Sequence, residues 1–385
     1  MAPILNILNY GKNGIMTSSI QLNIIEPTLH NHTGHCHGYI ASLLQASNTL
    51  FPQLGVIIWL AKKGKALFDR QQVKVRPYFW YRLRKIQIFF LYKYLVQNDQ
   101  HIFVPTAGML DMVLLTKLLK KNPTFLGSIH LHFHQFRQKP KKLKKLKEIA
   151  GNHPSLHIMT PTDCLASIFT KHGFKNVSIV PCPVYPPDTK NDTCIQEDLI
   201  DKVKLLYTGA ARKDKGFIEV VDFVERSNHS IPIHIQAPKT HNGKYDKSLL
   251  PALKQLKKIK KNTLTLSYNA LPQSEYLALF KDSITLLIYD VEAYKDKFSG
   301  VLLEALYYGS PVIVTKGTWF AQIVKQYDVG IIIENTEPLA IETAVNFILG
   351  DYRNYKNRAL KAGETLYQLH HPKNTLKNIL DSIAC

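Results

Sequence analysis

The sequence has no long apolar run, few cysteines and a shortage of acidic side chains. Two apolar segments, Gly55–Ala61 and Ser283–Tyr289, are about as long as one buried strand and far shorter than the ~20 residues of a membrane-spanning helix. Residues 1–16 lack the basic start and apolar core of a signal peptide. We therefore expect a chain without a membrane span or a secretory leader.

The cysteine pattern favours a protein of a reducing compartment, which agrees with the expected lack of a secretory leader. The cysteines form no C-x-x-C pair and their number is odd, which indicates free thiols in a reducing compartment rather than a disulfide framework. The expected location is the cytoplasm, with peripheral contact at the inner face of the plasma membrane left open. The cysteines are Cys36, Cys164, Cys182, Cys194 and Cys385.

The shortage of acidic residues leaves a large positive charge. Lys and Arg number 49 against 29 Asp and Glu, a formal net charge of +20. Such a surplus attracts phosphates, nucleic acid or an acidic membrane face, although blocks of like charge are often only a solvated surface. No RNP-like, zinc-finger or helix-turn-helix motif supports nucleic acid as the partner. The charge is concentrated in Lys62–Lys65, Lys74–Lys85 and Arg137–Lys147.

Length and patterning predict two α/β domains. A chain of 385 residues exceeds what one hydrophobic core usually serves. Strand-like and helix-like runs alternate in two successive series, which is typical of doubly wound parallel sheets that bind ligands at the carboxyl ends of their strands. The Pro-rich segment Pro181–Pro187 separates the series. We predict Rossmann-like domains over residues 1–185 and 186–365, and a C-terminal helix over 366–385 that packs back toward the first.

The segment 296–314 is the best candidate for chemistry. A helix is predicted to begin near Ser299 and Gly300, where the first amides, including that of Val301, carry the positive end of the helix dipole. Gly300 has no Cβ, so a phosphate can approach the backbone closely. Glu304 lies one turn further on, on the same face, and can accept hydrogen bonds from a ribose. Asp296 precedes the helix and can bind sugar hydroxyls. Such short patterns also recur by chance.

A basic turn supports this interpretation. Residues 207–216 follow the first strand of the second domain, and Gly209 permits a sharp exit from that strand. Arg212 can bind a phosphate with its planar fork and Lys215 as a point charge. Cations fixed there would stabilise the negative charge that develops on a departing diphosphate. Taken alone, a solvated Arg/Lys turn is the safer interpretation.

Three motifs of the second domain occur together in a known family. They are Gly209-x5-Lys215-Gly216 after the opening strand, Tyr289-Asp290 at the end of a later strand, and Asp296-x7-Glu304 followed by Ala-Leu-x-x-Gly-x-Pro-Val. Over about residues 204–350 they resemble the family-four retaining glycosyltransferases of GT-B fold. The resemblance implies two Rossmann-like domains that face each other across a cleft, with the acceptor on the side of the first domain.

The resemblance also implies residue roles. Arg212 and Lys215 would bind the diphosphate of a nucleoside diphosphate sugar. Asp296 would contact the donor sugar and Glu304 the ribose, without a metal ion, and the sequence has no Asp-x-Asp metal clamp. Two departures concern donor identity. The first acid is Asp296 where the family usually has Glu, and the usual Phe-Gly pair is Phe298-Ser299-Gly300.

The first domain contains two groups of histidines. His30–Gly38 is predicted to form the loop after the first strand, with spacings too tight for a usual closed zinc site. His130, His132 and His134 alternate along a strand predicted over 124–132, on one face. We expect His130 to be buried. The resembled family places a histidine near the end of this strand against the donor sugar, which implies that role for His134, with His132 as second choice.

Two basic segments resemble helices that lie on an anionic bilayer. Trp80–Tyr94 mixes cations with aromatic residues, and Lys141–Lys147 places Leu143 and Leu146 three apart among lysines. Apolar side chains toward lipid and lysines toward headgroups are typical of such helices. An amphipathic helix docked on its own sheet explains the pattern at least equally well.

The sequence therefore predicts transfer of a hexose-type sugar from a nucleoside diphosphate sugar to a glycan or glycolipid acceptor, with retention. The expected setting is cell-surface polysaccharide or lipopolysaccharide-type biosynthesis. Two alternatives stay open: a sugar-nucleotide epimerase of the same fold, and a basic membrane- or polyanion-binding protein with a non-catalytic nucleotide site. No cofactor or metal is expected beside the donor.

Overall fold

The computed structural model describes residues 20–31, 35–68, 73–150, 155–184, 202–227, 230–239 and 245–384. The chain divides into two compact units, Met1–Tyr185 with His370–Cys385, and Pro186–Leu369. Each unit is built on one parallel sheet with helices between successive strands, so the predicted α/β class with two doubly wound sheets is confirmed.

The first unit contains a seven-stranded sheet. Its strands are β1 (Gln21–Glu26), β2 (Gly55–Ala61), β3 (Lys74–Phe79), β4 (His101–Val104), β5 (Ile129–His132), β6 (Leu156–Thr160) and β7 (Val177–Ile179), in the order β3-β2-β1-β4-β5-β6-β7. Its helices are α1 (His35–Leu50), α2 (Arg84–Gln97), α3 (Met109–Lys121), α4 (Pro140–Ile149) and α5 (Asp163–Lys171). The central strands β1, β4 and β5 are buried along nearly their whole length, as expected where helices cover both faces of a parallel sheet.

Strand β3 is not predicted by the sequence pattern. Its alternating cations and Pro77 argue against a central strand, but β3 lies at the edge of the sheet, where the missing amide of a proline is tolerated. The register with β2 shifts beside Pro77, between Leu60 and Ala61. The strand predicted over 124–132 is also shorter than expected and begins only at Ile129.

The predicted His30–Gly38 loop is partly helical. Helix α1 begins at His35, so Cys36, His37 and Gly38 belong to its first turn rather than to a loop. Residues 32–34 lie outside the described residues. The ring of His37 stacks on that of Phe68, with centroids 5.4 Å apart. Part of this segment therefore serves packing within the first unit.

The second unit contains a six-stranded sheet. Its strands are β8 (Lys204–Tyr207), β9 (Ile233–Gln236), β10 (Leu264–Ser267), β11 (Ser283–Leu287), β12 (Val312–Thr315) and β13 (Gly330–Ile333), in the order β10-β9-β8-β11-β12-β13. Its helices are α6 (Phe217–Arg226), α7 (Leu250–Lys258), α8 (Gln273–Ala278), α9 (Val291–Tyr294), α10 (Gly300–Tyr307), α11 (Trp319–Tyr327), α12 (Pro338–Gly350) and α13 (Tyr352–Leu369). Helix α11 is absent from the sequence-based prediction.

Close packing fixes α10, the helix that carries the predicted site. Helix α13 crosses it at Gly363, where a Cβ would lie 2.5 Å from the backbone of Tyr307. The rings of Tyr307 and Tyr367 add an edge contact, with centroids 4.5 Å apart. Because the close crossing leaves no room for a side chain at position 363, α13 holds α10 firmly against the sheet.

The last helix, α14 (Pro372–Ala384), belongs to the first unit, where it packs on α1. Two hydrogen bonds tie His370 into this unit: its Nδ1 lies 2.8 Å from the carbonyl oxygen of Cys182, and its own carbonyl accepts from the amide of Val184 at 2.9 Å. Residues 185–201, which include the end of the Pro-rich segment, lie outside the described residues. Among the helices that the structure describes, none is both long and apolar enough to cross a bilayer.

Candidate functional site

The strand order of the second sheet reverses between β8 and β11. Strand β8 pairs with β9 on one side and with β11 on the other, and the chain proceeds outward in both directions. In open α/β sheets, ligands bind beyond the carboxyl ends of the strands at such a point. Both sequence-predicted segments begin there, because residues 208–216 follow β8 and residues 288–304 follow β11.

The turn after β8 depends on a residue from the neighbouring strand. The backbone of Gly209 has φ +94°, a left-handed conformation that favours glycine. The hydroxyl of Thr208 donates to Oε1 of Gln236 at 2.5 Å, and the amide of Gly209 donates to the same oxygen at 3.3 Å. Gln236 is buried at the carboxyl end of β9 and thereby fixes the direction in which the turn leaves the sheet.

A second glycine joins this turn to the end of β11. Gly216 has φ +71°, and a Cβ there would lie 2.2 Å from the carbonyl oxygen of Ile288. The amide of Asp290 donates to the carbonyl oxygen of Asp214 at 3.1 Å. The two loops are thus held against each other through their backbones, which positions the side chains between Gly209 and Gly216 over the switch point.

The predicted cations lie in this turn. Arg212 is half-buried and forms a bidentate pair with Asp214, in which its Nε donates to Oδ1 at 2.8 Å and its Nη2 donates to Oδ2. The pair fixes the plane of the guanidinium, and Nη1 takes no part in the pair. A fork held in this way is suited to an oxygen of a phosphate.

Lys215 lies deeper, between the two loops. A Cβ on Gly209 would lie 3.0 Å from its Nζ, and the Nζ lies 5.4 Å from the centroid of the Tyr289 ring. Burial and the neighbouring charge of Arg212 lower the pKa of Lys215 to about 8. An ammonium group that is desolvated and repelled by its neighbours is strongly stabilised by an arriving anion.

The N-terminus of helix α10 lies near the turn after β8 that carries Arg212 and Lys215. It begins at Gly300 after Ser299, whose side chain makes no capping hydrogen bond, so the first amides of the helix lack a side-chain cap. A Cβ on Gly300 would meet nothing within 4 Å, so there is open space beside this turn. Val301 is close to the turn after β8, because a Cβ on Gly209 would lie 3.8 Å from its Cγ2.

The two predicted carboxylates differ in surroundings. Oε2 of Glu304 accepts a hydrogen bond of 2.6 Å from the hydroxyl of Tyr276, which lies in α8. Burial raises the pKa of Glu304, while this hydrogen bond and the charge of Lys215 oppose the shift. Asp296 follows α9 and is partly buried. Burial also raises its pKa, against the charges of Lys295 and Lys297.

The structure thus brings the predicted residues together beyond the carboxyl ends of β8 and β11. They are Gly209, Arg212, Lys215, Ser299, Gly300, Val301 and Glu304. Sequence reasoning missed Gln236 and Tyr276, which hold the turn after β8 and the carboxylate of Glu304. Gln236 ends a predicted strand next to the switch point, and this position could have marked it as a residue of the site. Tyr276 lies 28 residues from its partner, in the short helix α8, and nothing in the sequence marked it.

The histidines of β5 lie in the first unit. His130 is fully buried, with its Nε2 3.0 Å from the hydroxyl of Ser128, which confirms the expected buried position. His132, the second choice for a contact with the donor sugar, is fully buried, with its Nδ1 2.5 Å from the hydroxyl of Tyr39. Helix α1 covers the end of β5 there. His134 is half-buried and stacks on Tyr39 at 5.5 Å.

One group of described residues has the composition of a metal site. The ligand atoms of His132, His134 and Cys182 all lie within 4.8 Å of one another. Burial raises the pKa of the Cys182 thiol to about 12 and lowers that of His132 well below its usual value. A neutral imidazole suits a metal, but a thiol this hard to ionise does not, because the thiolate is the ligand form.

Buried polar side chains also mark the switch point of the first sheet, between β1 and β4. Glu26 is buried at the end of β1, and its Oε1 accepts from the hydroxyl of Thr28 at 2.5 Å. Its Oε2 accepts from the hydroxyl of Thr106, in the loop after β4. Burial raises the pKa of Glu26 despite these bonds. Sequence reasoning passed over this carboxylate, although it ends a predicted strand.

Comparisons with known proteins agree with this geometry. Residues 195–365 match the family described as glycosyl transferases group 1. HepE of Anabaena, in complex with UDP-glucose, has a similar structure over 95% of this chain and 99% of its own, with 12% identity and a TM-score of 0.66. The chain is a glycosyltransferase of GT-B fold. The predicted resemblance and the predicted enzyme class are thereby confirmed.

Two further structures show the same fold. A glycosyltransferase from Rickettsia africae is 12% identical, with a TM-score of 0.69 over 95% of this chain and 98% of its own. Sucrose-phosphate synthase from Thermosynechococcus elongatus is 14% identical, with a TM-score of 0.64 over 94% and 97%. A comparison with curated proteins gives no match. The glycosyltransferase family match covers the unit that carries the switch point between β8 and β11.

Proposed function

We propose that this glycosyltransferase transfers a hexose-type sugar from a nucleoside diphosphate sugar, with retention of configuration, to a glycan or glycolipid acceptor. The observation that carries the donor assignment is the joint placement of Arg212, Lys215 and the uncapped N-terminus of α10 at one switch point. Two cations and a helix N-terminus offer three sources of positive potential to one diphosphate. The bound UDP-glucose of the structurally similar HepE supports this class of donor.

The diphosphate is the group that leaves. As the bond between the anomeric carbon and the β-phosphate oxygen breaks, negative charge grows on that oxygen. Lys215 and Arg212 are already fixed beside the path of this charge, so little reorganisation is needed when it develops. Gly300 leaves room for the phosphates to approach the amides of α10. The proposed catalytic contribution is therefore electrostatic and centred on the leaving group.

The carboxylates orient the donor. Glu304 is held by Tyr276, and its other oxygen, Oε1, is proposed to accept from the ribose diol. Asp296 is proposed to accept from hydroxyls of the transferred sugar. Binding energy from these remote groups positions the anomeric carbon for attack by the acceptor hydroxyl. His134 is proposed to contact the donor sugar.

The acceptor and the setting belong to the same proposal. We place the reaction in the assembly of cell-surface polysaccharide or lipopolysaccharide-type glycans, where an acceptor carried on a lipid would bring the enzyme to the inner face of the plasma membrane. The net charge of +20 supports attraction to an anionic lipid surface.

A donor screen tests the proposal. UDP-, GDP- and ADP-sugars are added to the purified enzyme, and the melting temperature and the slow release of nucleoside diphosphate are measured with and without EDTA. A donor raises the melting temperature because it binds only the folded state. Release is expected to persist in EDTA. If none of these compounds binds at millimolar concentration, the donor assignment is wrong.

The variants Arg212→Ala and Lys215→Ala extend the screen. Both are expected to lose donor binding and diphosphate release together, whereas Lys325→Ala in α11 supplies a matched control on a different part of the second unit. Equal binding by all three variants would contradict the site. Release that requires added Mg²⁺ or Mn²⁺ would contradict the expected metal independence.

A further inference from the structure

We propose that the segment from Trp80 to Tyr94 is a docking surface for an anionic lipid bilayer, seated through aromatic and aliphatic side chains that face solvent. Its apolar members have between 37% and 81% of their residue surface exposed. They are Trp80, Tyr81, Leu83, Ile86, Phe89, Phe90 and Tyr94, here called the aromatic face.

Four members of the aromatic face lie on the second apolar side of α2, and Trp80, Tyr81 and Leu83 lie in the turn before it. The inner side of α2 is buried through Ile88, Leu91, Tyr92, Leu95 and Val96, which recur at helical spacing and pack into the core of the first unit. Ile86, Phe90 and Tyr94 also recur every four residues, on the opposite side. A helix that is apolar on both sides needs cover on both, and the outward side has none within the described residues of this chain.

The charges around the aromatic face are almost all positive. Between Lys62 and Gln97 the sequence has ten Lys and Arg and a single acidic residue, Asp69. Two of the cations lie over exposed rings: Lys62 Nζ is 5.2 Å from the centroid of Trp80, and Arg84 Cζ is 4.8 Å from that of Tyr81. Cations that ring an apolar surface complement phosphate headgroups above acyl chains.

The residue types favour a bilayer over a protein partner. Trp and Tyr are enriched at membrane interfaces, where the ring body is in the acyl boundary and the polar group remains hydrated. Trp80, Tyr81 and Tyr94 are of this kind, while Leu83, Ile86 and Phe90 are fully apolar. Lys85 and Lys93 flank them on the exposed side of α2 and can reach headgroups with their long stems.

Helix α4, the other basic segment, is not built in this way. Leu146 is fully buried in the core of the first unit, and Leu143 packs against the same core. The apolar stripe of α4 is therefore used internally, and the exposed side of the helix carries lysines and Glu148, which pairs with Lys145. A helix docked on its own sheet, the alternative explanation from the sequence, accounts for the whole apolar stripe of α4 but only for the inner side of α2.

Vesicle binding tests the surface independently of the donor site. The protein is sedimented with phosphatidylcholine vesicles containing 30% or no phosphatidylglycerol, at low and high salt and without any nucleotide. We expect binding to the anionic vesicles only, at least about tenfold weaker at high salt because the headgroup attraction is screened. Equal binding to neutral vesicles, or none to either, would overturn the proposal.

Matched variants locate the binding. Phe90→Asp and Phe347→Asp both change an exposed phenylalanine, 56% and 64% exposed, and only Phe90 lies in the aromatic face. Phe90→Asp is expected to lower the partition coefficient at least about tenfold, and Phe347→Asp to leave it unchanged. The reversal Arg84→Glu/Lys85→Glu is expected to act like Phe90→Asp, whereas Lys141→Glu/Lys144→Glu in α4 has a smaller effect.

Fluorescence gives a second readout that does not depend on sedimentation. Brominated lipid in the anionic vesicles is expected to quench Trp80, and Trp80→Phe to abolish the quenching, because Trp319 is buried and Trp59 is partly buried. Three results would overturn the proposal: quenching that survives Trp80→Phe, equal loss of binding in the α2 and α4 reversals, or a dimer that Phe90→Asp dissociates without changing vesicle binding. The last would assign the face to a second copy of the chain.

Discussion

The hydroxyl of Tyr276 donates a hydrogen bond of 2.6 Å to Oε2 of Glu304. Because Glu304 is the residue proposed to bind the donor ribose, Tyr276 acts as a positioning residue for the nucleotide. Tyr276→Phe removes the bond and leaves a partly buried carboxylate without one partner. A hydrogen bond to a charged group contributes about 1.5–3 kcal/mol, so we expect nucleoside diphosphate affinity to fall about tenfold or more.

Calorimetric titration with the nucleoside diphosphate measures this loss. Tyr327→Phe, at the end of α11, is the matched control and is expected to bind as the unmodified enzyme does. If the two phenylalanine variants bind equally well, Tyr276 does not position Glu304.

The lowered pKa of Lys215 predicts a pH dependence of donor binding. Lys215 is charged below about pH 8 and neutral above it, and only the charged form attracts a diphosphate. The dissociation constant should therefore rise toward about tenfold per pH unit above pH 8, as expected for one linked proton. Lys215→Arg should bind with little dependence on pH between 7 and 9.5, because a guanidinium stays charged.

The same group affects stability with a defined sign. Its pKa is about 8 in the folded state against 10.5 as the ordinary value, so between these values the unfolded chain binds more protons. The contribution of Lys215 to the free energy of unfolding should therefore rise with pH across this window and be absent in Lys215→Met. Donor affinity that is flat from pH 7 to 9.5 in the unmodified enzyme would contradict the lowered pKa.

Gly216→Ala is expected to destabilise the second unit. The residue has φ +71°, and the new Cβ would lie 2.2 Å from the carbonyl oxygen of Ile288. Left-handed strain and a backbone clash together predict a loss of at least about 2 kcal/mol, with loss of donor binding as the turn moves. Denaturant titration measures it against Gly350→Ala, where a Cβ meets nothing within 4 Å. If the two variants were equally stable, the close contact between Gly216 and Ile288 would not be needed for the stability of the second unit.

Gly300→Ala separates folding from binding at the proposed phosphate site. A Cβ there meets nothing within 4 Å, so the fold should tolerate it, with a gain of up to about 1 kcal/mol from helix propensity. The same methyl group occupies the space through which a phosphate would approach the amides of α10. We expect an unchanged or higher melting temperature together with weaker diphosphate binding. Unchanged affinity would remove Gly300 from the site.

His134→Ala is expected to slow donor turnover while leaving stability nearly unchanged, because the side chain is only half-buried. His132→Ala should instead lower the free energy of unfolding by about 2–4 kcal/mol, because it leaves a cavity and deprives Tyr39 of its partner. Thermal unfolding and diphosphate release measured on both variants separate the two roles. If both variants turn over donor normally, neither histidine contacts the sugar.

The sequence predicts the local parts of this enzyme well. The turn from Gly209 to Gly216 and the start of α10 are each encoded within ten residues, so their glycines and cations are visible without a structure. The contacts that these segments make with other strands and helices are not visible. Gln236 meets Thr208 across 28 residues, and Tyr276 meets Glu304 across the same separation.

Tertiary context also decides exposure. His132 and His134 share one alternating pattern, but α1 covers the first and leaves the second half-buried. Leu146 in α4 and Phe90 in α2 both lie in basic segments, and only the packing of each helix on the first sheet shows that Leu146 is buried and Phe90 exposed. Strand β3 escaped prediction because Pro77 is acceptable only at an edge.

Helix α14 gives the two units different folding histories during synthesis. The second unit is one continuous stretch of chain, whereas the first combines residues before 186 with residues from 370 onward. Domains made early on the ribosome usually fold early. Here the first unit lacks the helix that packs on α1 until the whole second unit has been translated, so α1 stays uncovered on that side while the nascent second unit folds.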